Sequence, residues 1–268
     1  MTSLKSRSEL IDLLKSILRA RNETNWETLE SLFQPSMLID RTTQQRYNFI
    51  SNLRAASGVS VKLDSCVVDV NAQAVAARVI KTETLPDGER YECQEIILTW
   101  FVDGRLATLK RLKDVDSRSA KQTTAPSKLE ELKPTSLDLG ALYREYIKSI
   151  NDKTMEANFE KFCQPSVTHN TVKKTIAEYI SLISESQSAI KGLYFDIQDL
   201  IVDKDAGRVA ARLEFTGLPV KAWASAEPNG KSVRFHEHVM YWLVEGKIHW
   251  VWSVVDLETY RKQLQQTD

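Results

Sequence analysis

Glycine is scarce in this chain of 268 residues, nine in all, and none of it forms the spaced run that cradles a phosphate or a dinucleotide. No nucleophile triad motif accompanies it. The three cysteines, Cys66, Cys93 and Cys163, cannot all pair and show no Cys-x-x-Cys spacing. They read as reduced core thiols, Cys93 on a strand and Cys163 at an apolar helix position. No apolar run approaches the ~20 residues of a bilayer span. The amino terminus, Met1 to Arg7, leads into a charged helix and not an apolar signal core. The expectation is a cytoplasmic protein with no membrane partner. Lys and Arg total 36 and Asp and Glu total 36, and no basic stripe carries interleaved aromatics, so no nucleic-acid partner is expected.

What the chain does contain is the same domain twice. Gln34-Pro35-Ser36 recurs as Gln164-Pro165-Ser166, Val75-Ala76-Ala77-Arg78 as Val209-Ala210-Ala211-Arg212, and Phe101-Val102-Asp103-Gly104-Arg105 as Leu243-Val244-Glu245-Gly246-Lys247. A period this long marks a duplicated domain and not a solenoid unit of ~20–50 residues. The boundaries fall at residues 1–116 for the first copy, 117–138 for a polar linker and 139–268 for the second copy. All four histidines, His169, His236, His238 and His249, lie in the second copy, as do four of the six tryptophans. Chemistry is therefore sought there.

Each copy reads as three helices followed by a meander of strands. Leu10, Leu13, Leu14, Ile17 and Leu18 keep helical spacing. Asn25 is placed to cap a second helix that Pro35 ends, and a third helix surrounds residues 47–53. From Val59 the period becomes two, with strands expected at 59–63, 66–70, 74–82, 91–102 and 105–112. Pro86-Asp87-Gly88 and Asp103-Gly104 supply turns. The second copy repeats the programme and adds a helix at 257–265. The arrangement is α+β, with helices covering a long twisted antiparallel sheet whose curvature leaves a cone-shaped cavity.

The stretches Cys163-Gln164-Pro165-Ser166-Val167-Thr168-His169-Asn170, Phe235-His236-Glu237-His238-Val239-Met240-Tyr241 and Gly246-Lys247-Ile248 leading to Trp252-Ser253-Val254-Val255-Asp256 resemble the SnoaL-like polyketide cyclases of the nuclear-transport-factor-2-like superfamily. The resemblance covers nearly all of the second copy and, more weakly, the first. It implies two cone-shaped α+β barrels docked as an intramolecular pseudo-dimer, with further homo-oligomerisation left open. It also implies general acid/base chemistry without metal or cofactor. The acid of that family lies near the end of the last strand, where Asp256 stands here. His169 and Asn170 would sit at the pocket mouth.

Strand parity gives a second route to the site. If Val244 pairs with Lys247 and the ladder runs unbroken, Phe235, Glu237, Tyr241, Trp250, Trp252 and Asp256 share one face. That face is an aromatic wall holding two carboxylates, suited to a hydrophobic small-molecule substrate. Asp256, Glu237 and His169 become the catalytic candidates; Trp250, Trp252, Phe235, Tyr241, Asn170 and Tyr146 become the substrate-binding ones. His236, His238 and His249 fall on the opposite face and read as interface histidines and not as a zinc set. Trp223, in an insertion between Gly217 and Gly230, could form a lid. In the first copy Ile39 replaces His169, Lys110 replaces Trp252, and Glu95 and Asp114 match Glu237 and Asp256. Lys110 is expected to pin Asp114 as an anion, leaving the first copy structural. The function expected is a cyclase, isomerase or dehydratase for a polyketide- or terpenoid-like intermediate of secondary metabolism; the alternative is a non-catalytic binding or scaffold module.

Overall fold

The computed structural model describes residues 3–56, 58–84 and 88–265. Pro86 and Asp87 of one anticipated turn lie outside the described residues. The chain divides into two compact units, Met1–Glu130 and Glu131–Asp268.

The first unit contains α1 (Arg7–Asn22), α2 (Trp26–Ser31), β1 (Phe33–Ile39), β2 (Thr42–Gln45), α3 (Arg46–Ala55), β3 (Val59–Asp69), β4 (Ala74–Thr84), β5 (Arg90–Val102) and β6 (Arg105–Lys113). The second repeats this order as α4 (Leu139–Asn151), α5 (Met155–Phe162), β7 (Cys163–His169), β8 (Val172–Thr175), α6 (Ile176–Ala189), β9 (Ile190–Asp203), β10 (Arg208–Pro219), β11 (Val233–Val244) and β12 (Lys247–Val255), then adds α7 (Leu257–Gln265). The sheets are six-stranded, in the orders β2-β1-β6-β5-β4-β3 and β8-β7-β12-β11-β10-β9. The expectation of a wholly antiparallel sheet is corrected: β1 runs parallel to β6 and β7 parallel to β12. A hairpin inserted between the second and third helices joins the last strand of each sheet. Pro35, expected only to stop a helix, lies inside β1, and Pro165 lies inside β7. Pro35 and Pro165 fall where the parallel ladder is irregular, which suits a residue with no N–H to donate. Cys163 is accordingly the first residue of a strand and not of a helix face.

Local chemistry explains the ends of the helices. Ser6 and Glu9 form a capping box on α1, and Thr175 and Glu178 form one on α6. Asn25 caps α2 by accepting from the Thr28 N–H. At the far end of α1, Asn22 donates to the Val61 carbonyl at 2.8 Å and accepts from the Val61 N–H at 2.9 Å. Asn151 makes the same two bonds to Phe195. β3 and β9 are edge strands, so each asparagine ties a helix to backbone groups with no strand beyond them. The repeated Gln-Pro-Ser motif is explained similarly: Gln34 donates to the Val102 carbonyl and Gln164 to the Val244 carbonyl, each at a hairpin end. The hairpins turn through Asp103-Gly104 and Glu245-Gly246, all with positive φ, the conformation of the tight turn whose twist matches the strands.

The polar segment after β6 is held to its own unit. Arg78, 1% exposed, donates from Nη1 to Asp64 at 2.7 Å, from Nε to Gln94 at 2.9 Å and from Nη2 to the Thr123 carbonyl at 3.0 Å. Asp64 also accepts from the Ala125 N–H at 2.8 Å. The Asp114 carboxylate accepts from Gln94 and caps the following turn. Lys110, expected beside it, instead lies over the Trp100 ring at 5.3 Å. Removing one member of a buried ion pair strands the other. Asp64→Ala is therefore expected to cost about 3–5 kcal/mol in urea denaturation and to hasten tryptic cleavage after Lys121.

Candidate active site

The second unit encloses a cavity of about 150 Å³ between α4, α6 and the concave face of its sheet. Its walls are apolar: Ile147, Ile150, Leu193, Leu213, Phe215, Phe235 and Val239 among them. A dry cavity of roughly this size accommodates a benzene-sized molecule, so one ring fits and a larger ligand must extend through the mouth, where Leu182 is exposed.

Which residues reach it is decided by a β-bulge. Val244 pairs with Lys247 and Leu243 with Ile248, but Trp242 then pairs with Trp250, leaving His249 as the extra residue. From there the faces of β12 are exchanged relative to an unbroken ladder. Tyr241 faces Val251, Val239 faces Ser253 and Glu237 faces Val255, and all six line the cavity. The expected aromatic wall is thus half right. Phe235 and Tyr241 line the cavity, but Trp250 and Trp252 pair with Trp242 and Met240 on the other face; their rings lie 5.7 Å apart. Neither borders the cavity.

Asp256 also lies outside the lining. Its N–H donates to the His236 carbonyl, and its carboxylate caps α7 by accepting from the Thr259 N–H at 3.0 Å. Asn170, in the left-handed region at φ 53, donates its N–H to the Val251 carbonyl and accepts from the Ser253 N–H at 2.9 Å. It fixes the bulged strand and is not among the cavity residues. His236 and His238 pair with Glu214 and Arg212 on the outer face, with His236 Nε2 3.2 Å from the Glu214 carboxylate. A carboxylate therefore shares that face.

Glu237, His169 and Tyr146 are brought together by the cavity as expected. Burial raises the Glu237 carboxyl from 4.5 to about 7, against the opposing effect of the Ser253 hydroxyl, which donates to it at 2.5 Å. Burial, aided by Lys174, lowers His169 from 6.5 to about 4, so its imidazole is neutral at physiological pH. The His169 ring lies 5.9 Å from the Tyr179 ring. Tyr146 and Tyr179 join their hydroxyls at 3.0 Å, and burial drives both phenols upward, keeping them protonated. Trp223 reaches the cavity edge on a hairpin whose turn residues, Ala224 and Ser225, have positive φ; it packs edge-on against Tyr260 at 5.1 Å. Cys163 is buried and its thiol is pushed up to about 12, too high for a nucleophile.

Sequence reasoning missed Tyr179 and Ser253. Both had a signal. The first copy carries Phe49 where the second carries Tyr179, so a buried ring has acquired a hydroxyl. Ser253 is the small polar residue in a strand of large apolar ones.

Residues 140–264 match the family model described as SnoaL-like polyketide cyclase. A SnoaL-like polyketide cyclase from Agrobacterium tumefaciens is 31% identical, with 48% of this chain and 98% of that chain covered and a TM-score of 0.45. This chain belongs to the SnoaL-like polyketide cyclase family. Other similar structures are AclR from Streptomyces galilaeus, 20% identical over 49% of this chain and 98% of that one with a TM-score of 0.42, and TsrD from Streptomyces laurentii, 18% identical over 50% and 98% with a TM-score of 0.45. No curated protein matches the sequence significantly.

The two shifted groups oppose each other in stability. The folded state holds a proton on Glu237 that the unfolded chain releases above pH 4.5, so this contribution is lost as pH rises toward 7. The unfolded chain protonates His169 below pH 6.5 while the folded state resists until about 4, so stability is lost as pH falls. Relative to wild type, Glu237→Gln should gain roughly 2–3 kcal/mol between pH 5 and pH 8. His169→Gln should gain roughly 2 kcal/mol in the reverse direction. Urea denaturation at the two pH values measures both; parallel profiles for all three proteins would contradict the assigned shifts.

Proposed function

We propose that the cavity of the second unit moves protons on a small, largely apolar substrate, cyclising, isomerising or dehydrating a polyketide- or terpenoid-like intermediate. The observation that carries this reading is Glu237: a carboxyl raised to about 7 inside an apolar chamber. A group titrating near the working pH is available both to take a proton and to return it. A structural carboxylate held by a salt bridge would be shifted the other way.

In this reading the Glu237 carboxylate removes a proton from a carbon made acidic by a neighbouring carbonyl. Negative charge then develops on the carbonyl oxygen. Tyr146 and Tyr179 share one hydrogen bond, so one O–H donates to the other phenol and the remaining O–H is the donor suited to that oxygen. Glu237 returns the proton at a different atom, which completes an isomerisation or the closure of a ring. His169, neutral and against Tyr179, supplies a second site that can accept or donate a proton without first losing one. Ser253 holds the carboxylate in place. The apolar wall excludes water, which strengthens each of these interactions.

The base can be tested with 5-nitrobenzisoxazole, a small fused bicycle whose five-membered ring opens to a coloured phenolate when a base removes its C–H proton. Wild-type protein should accelerate the opening, with a rate that rises as pH passes through about 7. Glu237→Gln should lower the rate about 10²–10⁴-fold with an unchanged circular dichroism spectrum. Equal rates in the two proteins would leave the cavity as a binding site without chemistry.

A further inference from the structure

The first unit has a cavity of its own, of about 120 Å³, in the corresponding place beneath α1 and α3. Its polar chemistry is reversed. The equivalent bonds of Asn22 and Asn151 align Arg21 with Ile150 and Ile17 with Tyr146. The equivalent ladders align Lys81 with Phe215 and Arg111 with Ser253, while Glu95 keeps the place of Glu237. Where the second cavity has hydroxyls the first has Ile17 and Phe49; where the second is apolar the first has Arg21 and Lys81.

We propose that this cavity binds a small apolar molecule bearing one carboxylate, with Arg21 as the anchor for the acid and the aliphatic and aromatic wall as the seat for the body. Arg21 lines the cavity, and its Nη1 is buried with no hydrogen-bond partner. Leaving a charged donor unsatisfied is costly, and a carboxylate is the group that satisfies guanidinium geometry. Lys81 and Arg111 already have partners, Glu83 at 2.8 Å and Asp40 at 2.9 Å. Glu95 attracts Arg21 through space, without closing to an ion pair. Burial lowers the Arg21 pKa more than Glu95 raises it, and Arg111 adds to the lowering. The charge is thus under-compensated where it stands. The wall, with Leu14, Leu29 and Phe33, leaves room for a ring.

The test uses the full chain and two probes of one shape, 3-phenylpropionate and 3-phenylpropan-1-ol, titrated by calorimetry near pH 7. Wild type should bind the acid more tightly than the alcohol. Arg21→Met, which keeps the apolar stem, should weaken the acid about tenfold or more and leave the alcohol unchanged. Glu95→Gln, which removes the carboxylate that competes for Arg21, should tighten the acid severalfold and guards against a misfolded Arg21 variant. The proposal is overturned by no saturable binding of the acid up to millimolar concentration, by equal loss of acid and alcohol in Arg21→Met, or by weaker acid binding in Glu95→Gln. An acid affinity that responds to Glu237→Gln and not to Arg21→Met would place the probe in the other unit and also overturn it.

Discussion

The site depends on one extra residue in one strand. The register of β12 against β11 shifts at His249, and that of β6 against β5 shifts at Ala107 in the first unit. Each bulge exchanges the two faces of the strand beyond it. In the second unit this sends Ser253 to the cavity beside Glu237 and sends Trp250 and Trp252 away. A bulge also increases local twist and bends the strand. The same feature therefore selects the cavity's side chains and helps give the sheet its curvature. Asn170 and Asp40, both held at positive φ, accept from backbone N–H groups two residues beyond the carbonyls to which they donate. They lock the shifted strand, so its register does not rely on apolar packing alone.

The electrostatics of the cavity follow from what the bulge puts inside. Desolvation is the largest influence on Glu237 and also on His169, but it acts on an acid in one case and on a base in the other. Both are driven toward neutrality. A close ion pair between them would have lowered the first and raised the second; the shifts run the other way. The Ser253 hydroxyl pulls Glu237 back, though less strongly than burial pushes. The outcome is a carboxyl that divides its time between two protonation states near pH 7, beside an imidazole that stays uncharged and phenols that keep their protons. Burial thus keeps net charge low in a space that solvates charge poorly.

Much of the scaffold was legible because the duplicated motifs mark it. Gln34 and Gln164 hold the hairpins, and the alanines of the Val-Ala-Ala-Arg repeats are wholly buried in the sheets. The helices were legible from their period and caps, the hairpins from their turn residues. Glu237, Phe235 and Tyr241 were legible because β11 alternates without interruption. The register of β12 was not, since neither Ala107 nor His249 advertises a bulge as glycine would. That single slip carried Trp250, Trp252 and Lys110 to the wrong face. Asp256 was misplaced by the same slip, and an aspartate three residues before a backbone N–H at a helix start is a cap by position. The short strand β2 was obscured by its length, and the start of β1 by Pro35.

The two units show how far a cavity can change while its frame does not. The bonds that repeat between them lie at hairpin ends, at edge strands and at the locked bulge, and each engages a backbone N–H or carbonyl. The positions that differ, Arg21 against Ile150, Ile39 against His169, Phe49 against Tyr179 and Arg111 against Ser253, cluster at the cavity or its border. A side chain facing an open chamber has few neighbours to clash with, so replacing it perturbs packing less than a change in a filled core. Polarity is then constrained chiefly by what enters the chamber. This also explains why Glu95, at the Glu237 position, shares its cavity with cations while Glu237 stands among apolar and phenolic groups. Glu95 and Glu237 hold the same place on equivalent strands, but residue 21 brings a cation into the first cavity where its equivalent, residue 150, brings none into the second.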